Sequence, residues 1–242
     1  MATTRPASLS ATAPAPADVS LLRGAAVILG KELRTELRTR ELVNTTVVFA
    51  MIVVVMFSFS FDPTSEESRR FGPGLLWIAF LFAGSLMLQP SFVREQANET
   101  LAALRLAPVD PLAILLGKIL ANFFFLTLAE LVLLPVFAVF YNVALLPVLP
   151  SLLLVLALGT LGIVIPGTVF SAVGAQARMR EMLLPLLLLP VLTPVLIAST
   201  EATAGLLADT PELAANWIQL LAGFDIIFLT ASYFVFAYLL EE

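Results

Sequence analysis

Residues 119–141 read ILANFFFLTLAELVLLPVFAVFY, with Glu130 as the only Asp, Glu, Lys or Arg among them. At 1.5 Å per residue such a run crosses a hydrocarbon core of about 30 Å, so it is a transmembrane helix. Five further stretches have the same character. They cover about 44–61, 74–92 (opened by Pro73 and Gly74), 147–173, 182–199 and 217–240. Six spans account for most of the 242 residues and leave no room for a sizeable soluble domain.

Composition gives the same answer. Sixty per cent of residues are hydrophobic, 13% are charged, and the mean hydropathy is +0.99. A soluble domain holds roughly 45–50% apolar and about 25% charged residues, so the bilayer is the solvent for this chain. There is no Cys and no His. That removes disulfides, Cys/His zinc sites, thiolate nucleophiles and His- or Cys-based triads. Axial ligation of haem iron by His or Cys is removed as well, while Met and Tyr stay available. The net charge of −5 says little, because in a membrane the placement of charge outweighs its sum.

Residues 1–20, rich in Ala, Pro, Ser and Thr, read as a disordered tail without the continuous apolar stretch of a secretory signal. Residues 21–41 read as an amphipathic helix. Leu22, Ala26, Leu29, Leu33 and Leu37 form a stripe, and Arg23, Lys31, Glu32, Arg34, Glu36, Arg38, Arg40 and Glu41 fill much of the rest. A basic amphipathic helix beside a span lies in the interface and faces anionic lipid.

Lys and Arg set the expected orientation. Six precede the first span: Arg5, Arg23, Lys31, Arg34, Arg38 and Arg40. Arg94, Arg105 and Lys118 lie between spans two and three, and Arg178 and Arg180 between four and five. Eleven of the thirteen bases therefore fall on one side, which is expected to be cytoplasmic together with both termini. The opposite side has only Arg69 and Arg70.

The loop between spans two and three stands apart. Arg94-Glu95-Gln96-Ala97-Asn98-Glu99-Thr100-Leu101 leads through Leu104, Arg105 and Leu106 to Pro108 and Pro111, then to Gly117-Lys118. A short helix with Leu101 and Leu104 a turn apart would present a small docking surface, ended by the two prolines. On composition alone the segment fits an ordinary interfacial connector equally well. Within the spans, Glu130 and Asp225 are ionisable and Asn122 shares a polar half-face with Glu130. Carboxyls in lipid face a bundle interior, a partner or a cavity, in functional or purely structural roles. Pro185, Pro190 and Pro194 suggest a bend in the fifth span, and Gly159, Gly162, Gly167 and Gly174 allow close packing around the fourth.

These residues carry a resemblance. Glu95, Glu99-Thr100-Leu101, Leu106-Ala107-Pro108 and Gly117-Lys118 look like the loop of ABC-2-type permeases. Lys31-Glu32-Leu33-Arg34-Thr35-Glu36-Leu37-Arg38, Pro73-Gly74-Leu75-Leu76-Trp77-Ile78-Ala79 and Phe224-Asp225-Ile226-Ile227-Phe228 extend it. From about Leu22 onward the chain resembles the CcmB family, the haem exporter permease subunit of cytochrome c maturation. The resemblance implies an all-α permease domain over 21–242 in a bacterial inner membrane. It also implies an ATP-binding subunit, a haem-handling membrane subunit and a second copy of this chain as partners, with haem as substrate and no nucleic acid.

In that reading Arg94, Glu95, Glu99, Thr100, Leu101, Leu104 and Lys118 form the ATPase-coupling loop, and Asn122, Glu130 and Asp225 are intramembrane candidates. No catalytic or metal-ligating residue is expected. Neither Gly30-Lys31 nor Gly117-Lys118 completes a nucleotide-binding G-x-x-x-x-G-K-[ST] loop, so ATP belongs to another chain. Trp77 and Trp217 stand alone, without a Trp-rich haem signature, so a partner is expected to grip the haem. Three alternatives stay open: an exporter of another hydrophobic substrate, a non-transporting assembly subunit for a haem-binding partner, and, least supported, a membrane enzyme.

Overall fold

The computed structural model describes residues 20–60, 66–91, 110–174 and 180–241. Among the described residues seven long helices follow in order: α1 Leu21–Thr39, α2 Glu41–Ser58, α3 Glu66–Leu88, α4 Pro111–Phe140, α5 Leu149–Gly174, α6 Arg180–Leu207 and α7 Pro211–Glu241. A single 3-10 turn, Leu146–Val148, precedes α5, and no strand occurs among the described residues. The last six helices are each long and apolar enough to cross a membrane.

Most of these helices exceed the apolar runs that betray them in the sequence. Hydropathy marks where lipid begins, whereas the hydrogen-bonded ladder continues into water. Thus α3 starts at Glu66, with Pro73 inside it rather than at its mouth. Helix α4 starts at Pro111, where the proline's missing N–H costs nothing and the Asp110 carboxylate accepts from Leu112 N at 2.9 Å. Its thirty residues span about 45 Å, about 15 Å more than a hydrocarbon core needs. Helix α6 runs on to Leu207 and carries Glu201 exposed, a residue the sequence places in a loop.

The corners are made by three non-glycine residues in the left-handed region: Arg40, Asn142 and Asp209. Asn142 ends α4 with Val143 N donating back to Ala138 O, and Asp209 ends α6 with Thr210 N donating to Gly205 O. Both are the wide return bond that closes a helix on a left-handed residue, a conformation Asn and Asp tolerate well. At Arg40 the chain turns from α1 into α2. There the buried Glu36 carboxylate accepts from Leu42 N at 2.8 Å and Val43 N at 3.1 Å, capping α2 from the preceding helix.

The bundle is turned outward in the manner of membrane proteins. On α2, Thr46, Ala50, Val54 and Ser58 are buried at four-residue steps, while Val48, Ile52 and Met56 are exposed. Lipid solvates large apolar side chains as well as a protein core does, so small and hydroxylated residues take the helix contacts. Helix α5 touches α3, α4, α6 and α7, and α4 touches α1, α2, α3, α5 and α7. At Gly159 an added methyl would strike the Trp77 ring and lie 2.7 Å from Ser199 Oγ; at Gly162 it would lie 2.7 Å from Val195. The missing side chains are what let α3 and α6 approach.

The α1 stripe is not the edge that packs on the protein. The face turned to the protein is Gly24, Ala25, Ile28 and Glu36, whereas Leu22, Ala26 and Leu37 are exposed. In an interface the most apolar edge has lipid to face, and the protein contact goes to a face that approaches closely: Ala25 and Ile28 lie directly over Gly117 of α4.

Six crossings put α1, the α3–α4 connection, the α5–α6 connection and the end of α7 on one side. With the skew of basic residues, reporters placed after Glu242 or near Asn98 are expected in the cytoplasm and one near Asp209 in the periplasm. A periplasmic signal near Asn98 overturns this arrangement.

Candidate functional site

Two polar rungs join α4 to α5. Thr160 Oγ1 donates to Glu130 Oε2 at 2.6 Å, and Asn122 Nδ2 donates to Thr168 Oγ1 at 3.1 Å. Glu130 and Asn122 are eight residues apart, as are Thr160 and Thr168, so the rungs share one antiparallel register about 12 Å long. The two helices are therefore pinned against sliding, because a shift by one residue would break both rungs together.

Glu130 is fully buried two thirds of the way along α4, and its Oε1 has no hydrogen-bond partner. Thr127 Oγ1, one turn earlier on the same helix, is likewise unpartnered. Asp225 on α7 is also buried; neither carboxyl oxygen has a hydrogen-bond partner, and Oδ1 faces Gly162 of α5. Asp225 thus sits inside the bundle. Ser199 Oγ on α6, near Gly159, is unpartnered too. Of these residues, Glu130, Ser199 and Asp225 meet the turn of α5 that runs from Gly159 to Gly162. Beside them Trp77 Nε1 donates to Thr203 Oγ1 at 2.9 Å, tying α3 to α6.

Lys118 is not where the sequence suggests. It belongs to α4, is 1% exposed, and cannot offer its charge to a docking partner. Its Nζ donates to Glu32 Oε1 at 3.1 Å and to the Ser91 carbonyl. Asn122 also reaches Ser91 Oγ at 3.3 Å, and Ser171 Oγ donates to the Leu88 carbonyl at 2.7 Å. The end of α3, the start of α4, the end of α5 and the middle of α1 thus meet at one node. Ser91 lies at this node and α4 begins about two turns before Lys118, so Lys118 ties together the elements on either side of residues 92–109. An ammonium on a long flexible stem suits this task, because it reaches two acceptors on separate elements.

Arg94, Glu95, Glu99, Thr100, Leu101 and Leu104 lie outside the described residues. Among the described residues no group of three or more His, Cys, Asp or Glu could hold a metal ion. Sequence reasoning singled out Asn122, Glu130 and Asp225 because ionisable and amide groups are rare in spans, and Lys118 only as the Gly117-Lys118 end of the coupling loop. It missed Glu32, Ser91, Thr160, Thr168 and Ser199. Hydroxyl residues are common in membrane helices, and nothing local tells a bridging hydroxyl from one bonded to its own backbone, as Thr193 is to Leu189 O.

Comparison with known proteins gives one consistent answer. The family model described as CcmB protein matches residues 23–242, which include α2 to α7 and nearly all of α1. "Heme exporter protein B" of Pseudomonas aeruginosa is 35% identical over 190 residues, covering 77% of this chain and 83% of that one. The protein of the same name from Rhodobacter capsulatus is 30% identical over 174 residues, 72% and 79% of the two chains. That from Paracoccus denitrificans is 29% identical over 175 residues, 72% and 80%. On a match that takes in every membrane-crossing helix, this chain belongs to the CcmB protein family.

Proposed function

We propose that the chain is the multi-pass permease subunit of a haem exporter that serves c-type cytochrome biogenesis. The carrying observation is the family match over residues 23–242, supported by relatives named as heme exporters that align over most of their length. The chain itself is not the catalyst in this reading. ATP is hydrolysed on a separate subunit, since the sequence lacks a phosphate-binding loop. A haem-handling membrane subunit grips the cargo, a second copy of this chain completes the transmembrane part, and the whole sits in a bacterial inner membrane.

The coupling role falls to residues 94–104. Apolar contact from Leu101 and Leu104 docks the ATP-binding subunit, and Arg94, Glu95, Glu99 and Thr100 set its register. The node of Lys118, Glu32 and Ser91 supports this assignment, because a movement imposed on the loop would reach α1, α3, α4 and α5 together. Glu130, Asn122 and Asp225 lie in the layer through which such a movement would pass.

Cells lacking this chain are expected to accumulate apocytochrome c and to lose nearly all covalent haem from it. The loss should be restored by the chain supplied in trans, and haem-staining of gels measures it. Normal holocytochrome c in the deletion strain would overturn the assignment. Loss of some other exported compound with normal cytochromes would point to an exporter of a different substrate.

A further inference from the structure

Helix α1 has three edges, and the tertiary structure sorts its charges among them. Ala25, Ile28, Glu32 and Glu36 lie on the edge against the protein. Leu22, Ala26, Leu33 and Leu37 lie about a third of a turn round, apolar and mostly exposed. Arg23, Lys31, Arg34 and Arg38 occupy the remaining third, all exposed, with Val27 between them. Both acids of the helix are engaged on the protein side. Glu32 pairs with the buried Lys118 and also meets Lys31, and Glu36 caps α2. What the helix shows outward is therefore strongly basic, although the chain as a whole carries −5.

Depth fixes what this basic edge meets. α1 crosses α4 at Gly117, within the first two turns of a helix about 15 Å longer than the hydrocarbon core. A basic amphipathic helix beside a span lies in the interface, where its apolar edge reaches acyl chains and its basic edge the phosphates. We infer that α1 is a binding element for anionic phospholipid, taking the headgroup phosphodiester along Arg23, Lys31, Arg34 and Arg38 and the adjoining acyl chain along Leu22, Ala26 and Leu37. Arginine suits the task, since its planar fork matches phosphate oxygens and keeps its charge at any physiological pH. Because Glu32 on the opposite edge holds Lys118, lipid captured by α1 also steadies the node from which segment 92–109 departs. The inference needs no assumption about the transported substrate.

The chain contains no cysteine, so Val27→Cys provides a single labelling site in the middle of the basic edge. The full-length protein, labelled there with a fluorophore, is reconstituted in phosphatidylcholine vesicles. Phosphatidylglycerol or phosphatidylcholine with brominated acyl chains is then titrated in as quencher. Each base near an anionic surface contributes roughly a fivefold preference. Brominated phosphatidylglycerol is therefore expected to quench at a mole fraction at least tenfold lower than brominated phosphatidylcholine. Raising the salt should erase most of that difference without any further substitution. Arg23→Gln, Arg34→Gln and Arg38→Gln combined should erase it at low salt. Equal quenching by the two lipids at low salt overturns the proposal. If lipids quench equally while the triple variant loses a co-purifying subunit, the basic edge meets an acidic protein surface instead, and the lipid assignment is wrong.

Discussion

Replacing Leu101 and Leu104 together by Ser is expected to strip the ATP-binding subunit from the membrane chain during purification, with the chain itself still inserted. Burying one leucine contributes roughly 1.5–3 kcal/mol. On the docking role proposed for them, losing both weakens the assembly by about a hundredfold or more. The shorter segment Arg178-Met179-Arg180-Glu181 has no such apolar pair, so charge-neutral changes there should cost much less binding. The ratio of ATPase to permease after affinity purification of each variant decides the matter. An unchanged ratio in the double Ser variant, with a fall in the Arg178 variant, would move the docking site to the other loop. Because neither leucine belongs to a span, the amount of inserted chain should equal the wild type, and a fall in that amount would signal misfolding.

Glu130→Leu should abolish holocytochrome c formation at near-normal levels of the membrane chain. The size of the structural cost is what makes this a test of function. Hydrogen bonds between membrane helices average about 0.6 kcal/mol and reach about 1.7. Breaking the Thr160–Glu130 bond is therefore too small a change to unfold a six-helix bundle. The leucine also relieves the membrane interior of a carboxyl oxygen that has no partner. Glu130→Gln keeps an acceptor for Thr160 but cannot ionise, so it isolates the proton from the bond. Thr160→Val removes the bond and keeps the acid. If both Glu130 variants lose activity while Thr160→Val keeps it, the carboxyl acts in its own right. Full activity of Glu130→Leu sinks the proposal, and disappearance of the protein in Glu130→Leu and Glu130→Gln alike would make the residue structural.

The amino-acid sequence by itself determined the class, the number of spans and the rarity of charge within them. Those follow from one quantity, the cost of placing polar groups in hydrocarbon, which acts on every residue locally and leaves its mark as long apolar runs. It also reached Glu130, Asn122 and Asp225, because an ionisable or amide group in such a run is conspicuous. The ends of the helices were out of reach: in α4 the apolar run already begins at Leu112 behind the Asp110 cap, and the charge of Lys118 inside that run reads as a boundary. Lys118 went wrong for that reason and became a loop residue, although it is buried against Ser91 and Glu32. The hydroxyl partners Thr160 and Thr168 came only from the register of α4 on α5, set by contacts between residues some thirty to fifty positions apart. The orientation of α1 was likewise a tertiary decision. Its stripe shows which edge is most apolar, yet whether that edge meets lipid or protein depends on Gly117, which lies far away in the chain and admits Ala25 and Ile28 at close range.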